Sequence, residues 1–374
     1  MTSGDRVLQA RQICGLTQSE LAHAIGVEQA YVSMIERGQR DPSPAILQAI
    51  AFRTGFSFSF FQQPPGPIFP AGSLLYRRRK SAKSDDLDKL LQVARLSFEL
   101  HESLACRFKE RPLQLPRSAS QPEEAAGQTR QALGIFSSDS PITSLIRRLE
   151  RVGVVVIPVP FSVEHFDSFS LWADSDPAKP VLVVSTDKSG DRQRFSICHE
   201  LGHLVLHRNS SRPTEGLEVE ANLFAGALLL PENVARRELV APLTLDTLLR
   251  VKAEWGISIS ATVQRALALG LITDRQRRYW MQRLAMKKWL KSEPVHVQVE
   301  KPRLLMKMAE VLYGAPVSPE RIASETGWPS ARVQQLLALY SGKMDDRAPS
   351  KGPKTKAMRD IPLLRFPAKH TKLT

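Results

Sequence analysis

Phe195-Ser-Ile-Cys-His-Glu-Leu-Gly-His203 contains the pattern H-E-x-x-H, and its reading decides what kind of fold surrounds it. On a helix, residues four apart share a face. His199 and His203 therefore point the same way, and Glu200 lies beside them. Two imidazoles and an adjacent carboxylate at this spacing are the parts of a zinc hydrolase, in which the histidines hold the ion and the glutamate acts on a water. With 8 histidines in 374 residues, chance supplies roughly 0.01 such patterns per chain.

Two histidines leave a catalytic zinc ion short of a protein ligand, since three plus a water is usual. The segment Glu215-Gly-Leu-Glu-Val-Glu-Ala-Asn-Leu-Phe-Ala-Gly-Ala-Leu-Leu-Leu-Pro231 reads as a helix ended by proline. Glu218 shares a face with Ala221, Asn222 and Ala225, small residues that let this helix press on the H-E-x-x-H helix, whereas Glu220 lies with Phe224 and Ala227. The expected metal ligands are His199, His203 and Glu218, with Glu200 as the catalytic base and Zn2+ as the cofactor. His207, two turns beyond His199, lies too far along the axis to share the ion and is expected behind the ligands or in the core. His165, His207 and Tyr279 are the candidates within reach for stabilising an oxyanion.

Upstream of the motif, Pro141 to Arg151 reads as a helix and Gly153-Val-Val-Val-Ile-Pro158 as a buried strand. Further strands are expected at Phe166 to Trp172 and Val181 to Val184, with Asp191 capping the H-E-x-x-H helix. Downstream, Leu239 to Leu267 and Asp274 to Trp289 have amphipathic helical spacing.

The amino-terminal residues 1–62 read as a compact helical unit. Thr17-Gln-Ser-Glu20 is a capping box, and Gly26 turns the chain into a second helix from Glu28 to Arg37. That is a helix-turn-helix. A bridge at Pro64-Pro-Gly-Pro67 is expected to hold this head off the rest at few angles. The basic run Tyr76-Arg-Arg-Arg-Lys80 and a helix from Asp85 to Lys109 follow. Ser318 to Leu337 outlines a second helix-turn-helix, with Gly327 at its turn and Ser330 as a cap, suited to packing, dimerising or DNA contact alike.

The boundaries expected are 1–62 for the helix-turn-helix head, 63–130 for the connector, 131–235 for the metallopeptidase core and 236–292 for a helical extension. A helical module at 293–341 and a disordered basic tail at 342–374 complete the chain. The fold class is multidomain and mainly α: an all-α head, an α+β zincin-like core and a helical carboxy-terminal region.

Composition agrees with this division. Hydrophobic residues at 42% and charged residues at 24% are ordinary for a globular protein, while a net charge of +14 points to a polyanionic partner. The longest apolar runs, Val154 to Ile157 and Leu223 to Leu230, are too short to cross a bilayer, and no signal peptide is legible. The expected location is the cytoplasm. Cys14, Cys106 and Cys198 lack C-x-x-C spacing and are expected to be reduced core residues.

Leu16-Thr-Gln-Ser-Glu-Leu-Ala-His-Ala-Ile-Gly-Val-Glu-Gln-Ala-Tyr-Val-Ser-Met-Ile-Glu-Arg-Gly38 closely resembles the XRE, or lambda-repressor-like, DNA-binding family. The resemblance implies that the second helix of the motif enters the major groove of an operator. Gln29, Ala30 and Ser33 would then face bases while Gln18 and Tyr31 contact phosphates. A glutamine pairing with adenine is worth roughly 1–3 kcal/mol of discrimination.

Arg194 to His207, followed by Glu218-Val-Glu-Ala-Asn222 and the run to Pro231, resembles the ImmA/IrrE metallopeptidases of phages and bacteria. That likeness implies the same ligands, His199, His203 and Glu218, and the same base, Glu200. It further implies limited proteolysis of a repressor-type protein, itself conceivably a helix-turn-helix protein, by a dimeric DNA-binding regulator. The competing function is a ligand-sensing transcription factor, for example of short-chain acyl metabolism, whose zinc-peptidase fold is a non-proteolytic sensor.

Overall fold

A computed structural model describes residues 4–69, 84–109, 112–116, 121–159, 168–174, 178–208, 214–290 and 292–341. The basic run at 76–80, His165 and the tail at 342–374 lie outside the described residues. Among those described, no helix is long and apolar enough to cross a membrane.

Four short helices build the head: α1 (Gly4–Ile13), α2 (Gln18–Ile25), α3 (Gln29–Glu36) and α4 (Pro44–Thr54). Their ends are set by neighbours in sequence. Thr17 and Glu20 form the capping box of α2, Gly26 ends it at φ 70°, and Ser43 followed by Pro44 starts α4. A left-handed residue at a helix end favours glycine because a Cβ would clash there.

The long helix α5 (Ser84–Ala105) serves two cores at once. Leu87, Leu90, Ala94 and Phe98 pack on the sheet, whereas Leu96, Leu100 and Leu104 pack with Val7, Leu21, Val32 and Ile50 of the head. The proline bridge is correspondingly pinned. Arg6 donates to Pro64 O (2.8 Å) and Glu99 (2.7 and 2.8 Å), Arg95 donates to Pro67 O (2.9 Å) and Asp5, and Asp5 accepts from Gly66 N (3.0 Å). The expectation of a head held off the rest is corrected, because buried arginines on both sides of the bridge stitch it down.

Helices α6 (Pro122–Ala132) and α7 (Leu145–Arg151) lead to the strands β1 (Val155–Val159), β2 (Ser168–Ala173) and β3 (Lys179–Ser185). The order is β1-β3-β2, with β1 parallel and β2 antiparallel to the central β3. Val154, Val156, Leu182 and Val184 belong to one core cluster and Val155, Ile157, Val181 and Val183 to another. Both faces are thus buried, which is why β1 reads as an unbroken apolar run. Helix α7 starts later than expected, at Leu145. Ser144 has φ 52°, and the first turn is satisfied from afar by Glu300, which accepts from Ile146 N at 2.9 Å.

The site helices are α8 (Gly190–Leu206) and α9 (Glu215–Leu229), followed by α10 (Glu232–Glu238), α11 (Leu245–Trp255), α12 (Ile259–Ala268) and α13 (Asp274–Met286). Asp191 does not cap α8 as expected. Ser189 stands at that position, and Asp191 turns to Lys252 Nζ at 2.7 Å, an ion pair that Glu293 shares at 2.7 Å. The carbonyls of Val297 and Gln298 cross so close to Gly190 that no Cβ fits there.

Helices α14 (Leu304–Tyr313), α15 (Pro319–Thr326) and α16 (Ser330–Tyr340) return to the head. Leu305, Met308, Ile322, Trp328, Val333 and Leu337 join the head's core cluster. Ser57 N donates to Gly327 O at 2.8 Å and Gln63 to Thr326 O at 3.0 Å, so the second helix-turn-helix packs against the first. Ser330 does not cap α16. Pro329 holds that place, and the Ser330 hydroxyl donates to Glu320 at 3.1 Å. Of the cysteines, Cys198 is fully buried, Cys14 half-buried and Cys106 exposed, so Cys106 is no core residue; none is in a disulfide.

Candidate metal centre

Gly202 lets α8 and α9 meet. A Cβ there would lie 3.2 Å from Ala221 Cα and 3.1 Å from Phe224 Cδ1, and Ala221 and Ala225 opposite are fully buried. Close approach brings Glu218 across to the histidines. Its carboxylate oxygens lie 3.4 Å from His199 Nε2 and 3.3 Å from His203 Nε2, and the two Nε2 atoms are 3.2 Å apart. Among the described residues these three form the group able to hold a metal ion, with one donor atom from each within 4.8 Å of the others.

Hydrogen bonds on the far side of each ring decide its tautomer. Asn222 Oδ1 lies 3.0 Å from His199 Nδ1. An amide oxygen only accepts, so the His199 proton sits on Nδ1. Glu220 Oε2 lies 2.9 Å from His207 Nε2, and His207 Nδ1 lies 3.0 Å from His203 Nδ1. The carboxylate takes the proton side of His207, and burial lowers the pKa of that ring, keeping it neutral. His207 therefore accepts at Nδ1, and His203 donates from Nδ1. Both ligand rings are left with a lone pair on Nε2, aimed where Glu218 adds a negative oxygen.

At neutral pH the Glu218 carboxyl is ionised, as an ordinary carboxylate is. Two lone pairs and an anion crowded together repel unless a cation lies among them. The donor set fits zinc: imidazole and carboxylate, three protein ligands and one position left for water.

Glu200, next to His199 on α8, is 1% exposed. Ser170 Oγ donates to its Oε2 at 2.9 Å and Ser168 Oγ lies 3.4 Å from Oε1, both from β2. Ser168, Ser170 and Glu220 are the residues that sequence reasoning missed. A signal existed for the serines, which alternate along an expected strand and so face one side. Of the oxyanion candidates, His207 is engaged as described and Tyr279 is 55% exposed on α13.

On the head, Gln29 and Ala30 are exposed and Tyr31 is half-buried, with Arg40 stacked 4.6 Å from its ring centre. Gln29 donates to Gln18 Oε1 at 2.6 Å, and Gln18 donates to Glu36 at 2.7 Å. Ser33 is 7% exposed, and its hydroxyl accepts from Arg37.

A helix-turn-helix head, and a helix pair on a small mixed sheet that brings two histidines and a carboxylate together, define a class: a helix-turn-helix module joined to a domain of the zincin-like kind. The comparisons make this specific. A helix-turn-helix family model matches residues 7–61, and a peptidase family model described as IrrE N-terminal-like domain matches residues 149–267. The chain is thus an XRE-type helix-turn-helix fused to an ImmA/IrrE-type domain. It is also similar to an uncharacterized immunity region protein 2 of Bacillus phage phi105, 32% identical over 80 residues, which are 19% of this chain and 51% of that protein. The chain thus spans about half the length of this curated relative.

Proposed function

We propose that this protein is a cytoplasmic, homodimeric transcriptional regulator whose second module is a zinc-dependent endopeptidase acting on a repressor-type protein, such as another helix-turn-helix protein. The head at 1–62 would read a double-stranded operator, with Gln29, Ala30 and Ser33 facing bases and Gln18 and Tyr31 contacting phosphates, and the core at 131–235 would carry the chemistry. The observation that carries the reading is the convergence of His199 Nε2, His203 Nε2 and the Glu218 carboxylate on one point.

His199, His203 and Glu218 would hold the ion, and Asn222 and His207 keep both rings in the binding tautomer. Bound there, zinc supplies Lewis acidity toward a carbonyl and toward water. Glu200 takes the proton of the attacking water and returns it to the leaving amine. Ser170, donating at 2.9 Å, holds that carboxylate in one orientation.

Incubation of the purified chain with candidate repressors, beside metal analysis, tests this. Glu200→Gln keeps its zinc and loses about 10²–10⁴-fold in cleavage rate, the usual contribution of a general base. Glu218→Ala loses the zinc. A metal-loaded protein that yields no fragments from any candidate sinks the endopeptidase reading. A second reading, a ligand-responsive regulator of short-chain acyl metabolism, is favoured by the near-complete burial of Glu200. It gains if Glu200→Gln leaves regulation in cells unchanged.

A further inference from the structure

A cavity of about 680 Å³ opens between α8, α9, α12, α13 and the residues that follow α13. Its walls include Phe195, Leu223, Ala261, Leu267, Met281 and Trp289. We propose that it is a substrate subsite that receives a bulky apolar side chain of the peptide whose bond lies at the His199, His203 and Glu218 centre. This rests on the endopeptidase reading above.

Position is the first argument. Phe195 and Ser196 precede His199 on α8 by one turn, so they share its face. Asn222, which fixes His199 Nδ1 at 3.0 Å, is itself part of the lining, as is Val219 next to the ligand Glu218. The cavity therefore begins within about one helical turn of His199, close enough for a side chain of a peptide held at the metal centre to enter it.

Chemistry is the second. Asp191 and Glu293 in the lining share Lys252 at 2.7 Å, which leaves a single net negative charge among the three, and Arg265 is paired with Glu123 at 2.8 and 2.6 Å. Arg192 stands exposed. The apolar part of the wall is Phe195, Leu223, Leu267, Met281, Trp289 and Leu290, set among serines and these paired charges. Val219, Leu223 and Leu290 are 53%, 37% and 50% exposed, apolar surface whose covering is favourable by about 25 cal/mol per Å². The volume falls within the roughly 300–1,000 Å³ of ligand sites, room for a large side chain and the backbone that bears it. Met281 adapts its shape readily, which suits leucine, methionine and phenylalanine alike. Met281, Trp289 and Leu290 lie beyond the matched segment 149–267, so this chain's helical extension closes one side of the subsite.

The test uses the full-length, zinc-loaded protein on a peptide mixture from a digested proteome, with the cleaved bonds read by mass spectrometry. Wild type should enrich large apolar residues at one fixed position beside the bond. A peptide bearing leucine there should exceed its alanine counterpart in kcat/KM by about tenfold or more. Ala261→Trp, which fills the cavity, should erase that ratio, whereas Trp289→Ala, which widens it, should shift preference toward larger residues. Circular dichroism and metal content establish that each variant is folded and loaded.

Cleavage by wild type with no apolar preference, or a leucine-to-alanine ratio unchanged in both variants, overturns the subsite and leaves the endopeptidase reading standing. Tight binding of octanoate that Ala261→Trp abolishes, beside an unaltered peptide preference, assigns the cavity to a free ligand and overturns the proposal too. Absence of any cleavage by the loaded wild type removes the endopeptidase reading and the subsite with it.

Discussion

In the head, α2 begins on Thr17 and Glu20, which satisfy each other's backbone N–H groups three residues apart, and ends on Gly26. In the metal module, α8 begins on Ser189 with no side-chain cap, and its first turns are held by groups far along the chain. Lys252 takes Asp191, Gln193 exchanges hydrogen bonds with the Glu300 backbone at 2.9 and 3.0 Å, and Arg194 pairs with Glu300 at 2.7 Å. The contrast recurs at α14, whose Arg303 and Leu304 N–H groups both donate to Glu150 of α7 at 2.9 Å. Helices α2 and α4 of the head are specified locally and lose little when one cap is removed. Helices α8 and α14 are specified through partly or fully buried partners, so single substitutions there cost more.

The sharpest way to break this comparison is Lys252→Met. Lys252 is 2% exposed, and its loss leaves Asp191 and Glu293 without their cation. Destabilisation of about 3–5 kcal/mol is expected in urea unfolding, as for one-sided removal of a buried pair. Adding Asp191→Asn and Glu293→Gln should recover part of it. An effect below about 1 kcal/mol would show that α8 does not depend on its distant partners.

Glu150 sharpens the comparison through pH. Burial raises its carboxyl to about 7, against the pull of the Leu304 and Arg303 N–H groups. Below pH 4.5 folded and unfolded chains both hold the proton. Between about 4.5 and about 7 only the unfolded chain releases it, so this group withdraws stability as pH rises. Glu150→Gln keeps the acceptor and cannot ionise. It should match wild type near pH 4.5 and exceed it at pH 8 by on the order of 3 kcal/mol, read from unfolding curves at both values. Equal pH slopes for the two proteins would refute the assignment.

The smallest effect belongs to the head. Thr17→Ala removes one local cap and should cost about 1 kcal/mol, with Gln29 and Ala30 remaining exposed and operator affinity falling only slightly. A loss as large as that of Lys252→Met would erase the distinction between the two regions.

What was legible follows the same division. Thr17, Gly26 and Ser43 announced the head helices because caps and turns act over a few residues. The unbroken apolar run of β1 announced a buried strand, and His199 and His203 announced a shared helix face. Glu218 was legible through the small residues that allow α9 to approach. Asp191 and Ser330 were misread as caps because a cap-forming side chain takes a stronger distant partner where folding offers one. The roles of Ser168, Ser170, Glu220 and Glu300 were not legible, since each is defined by a neighbour between 13 and 154 residues away.

By itself the chain determined where most helices start, which faces are apolar and which side chains have metal-binding chemistry, because these depend on residues within one or two turns. Tertiary structure alone decided which nitrogen of each imidazole is available, what holds Glu200, and that the proline bridge and the carboxy-terminal helices join the head's core. Those outcomes depend on burial and on hydrogen bonds between segments remote in sequence, and no local pattern encodes the distance between them.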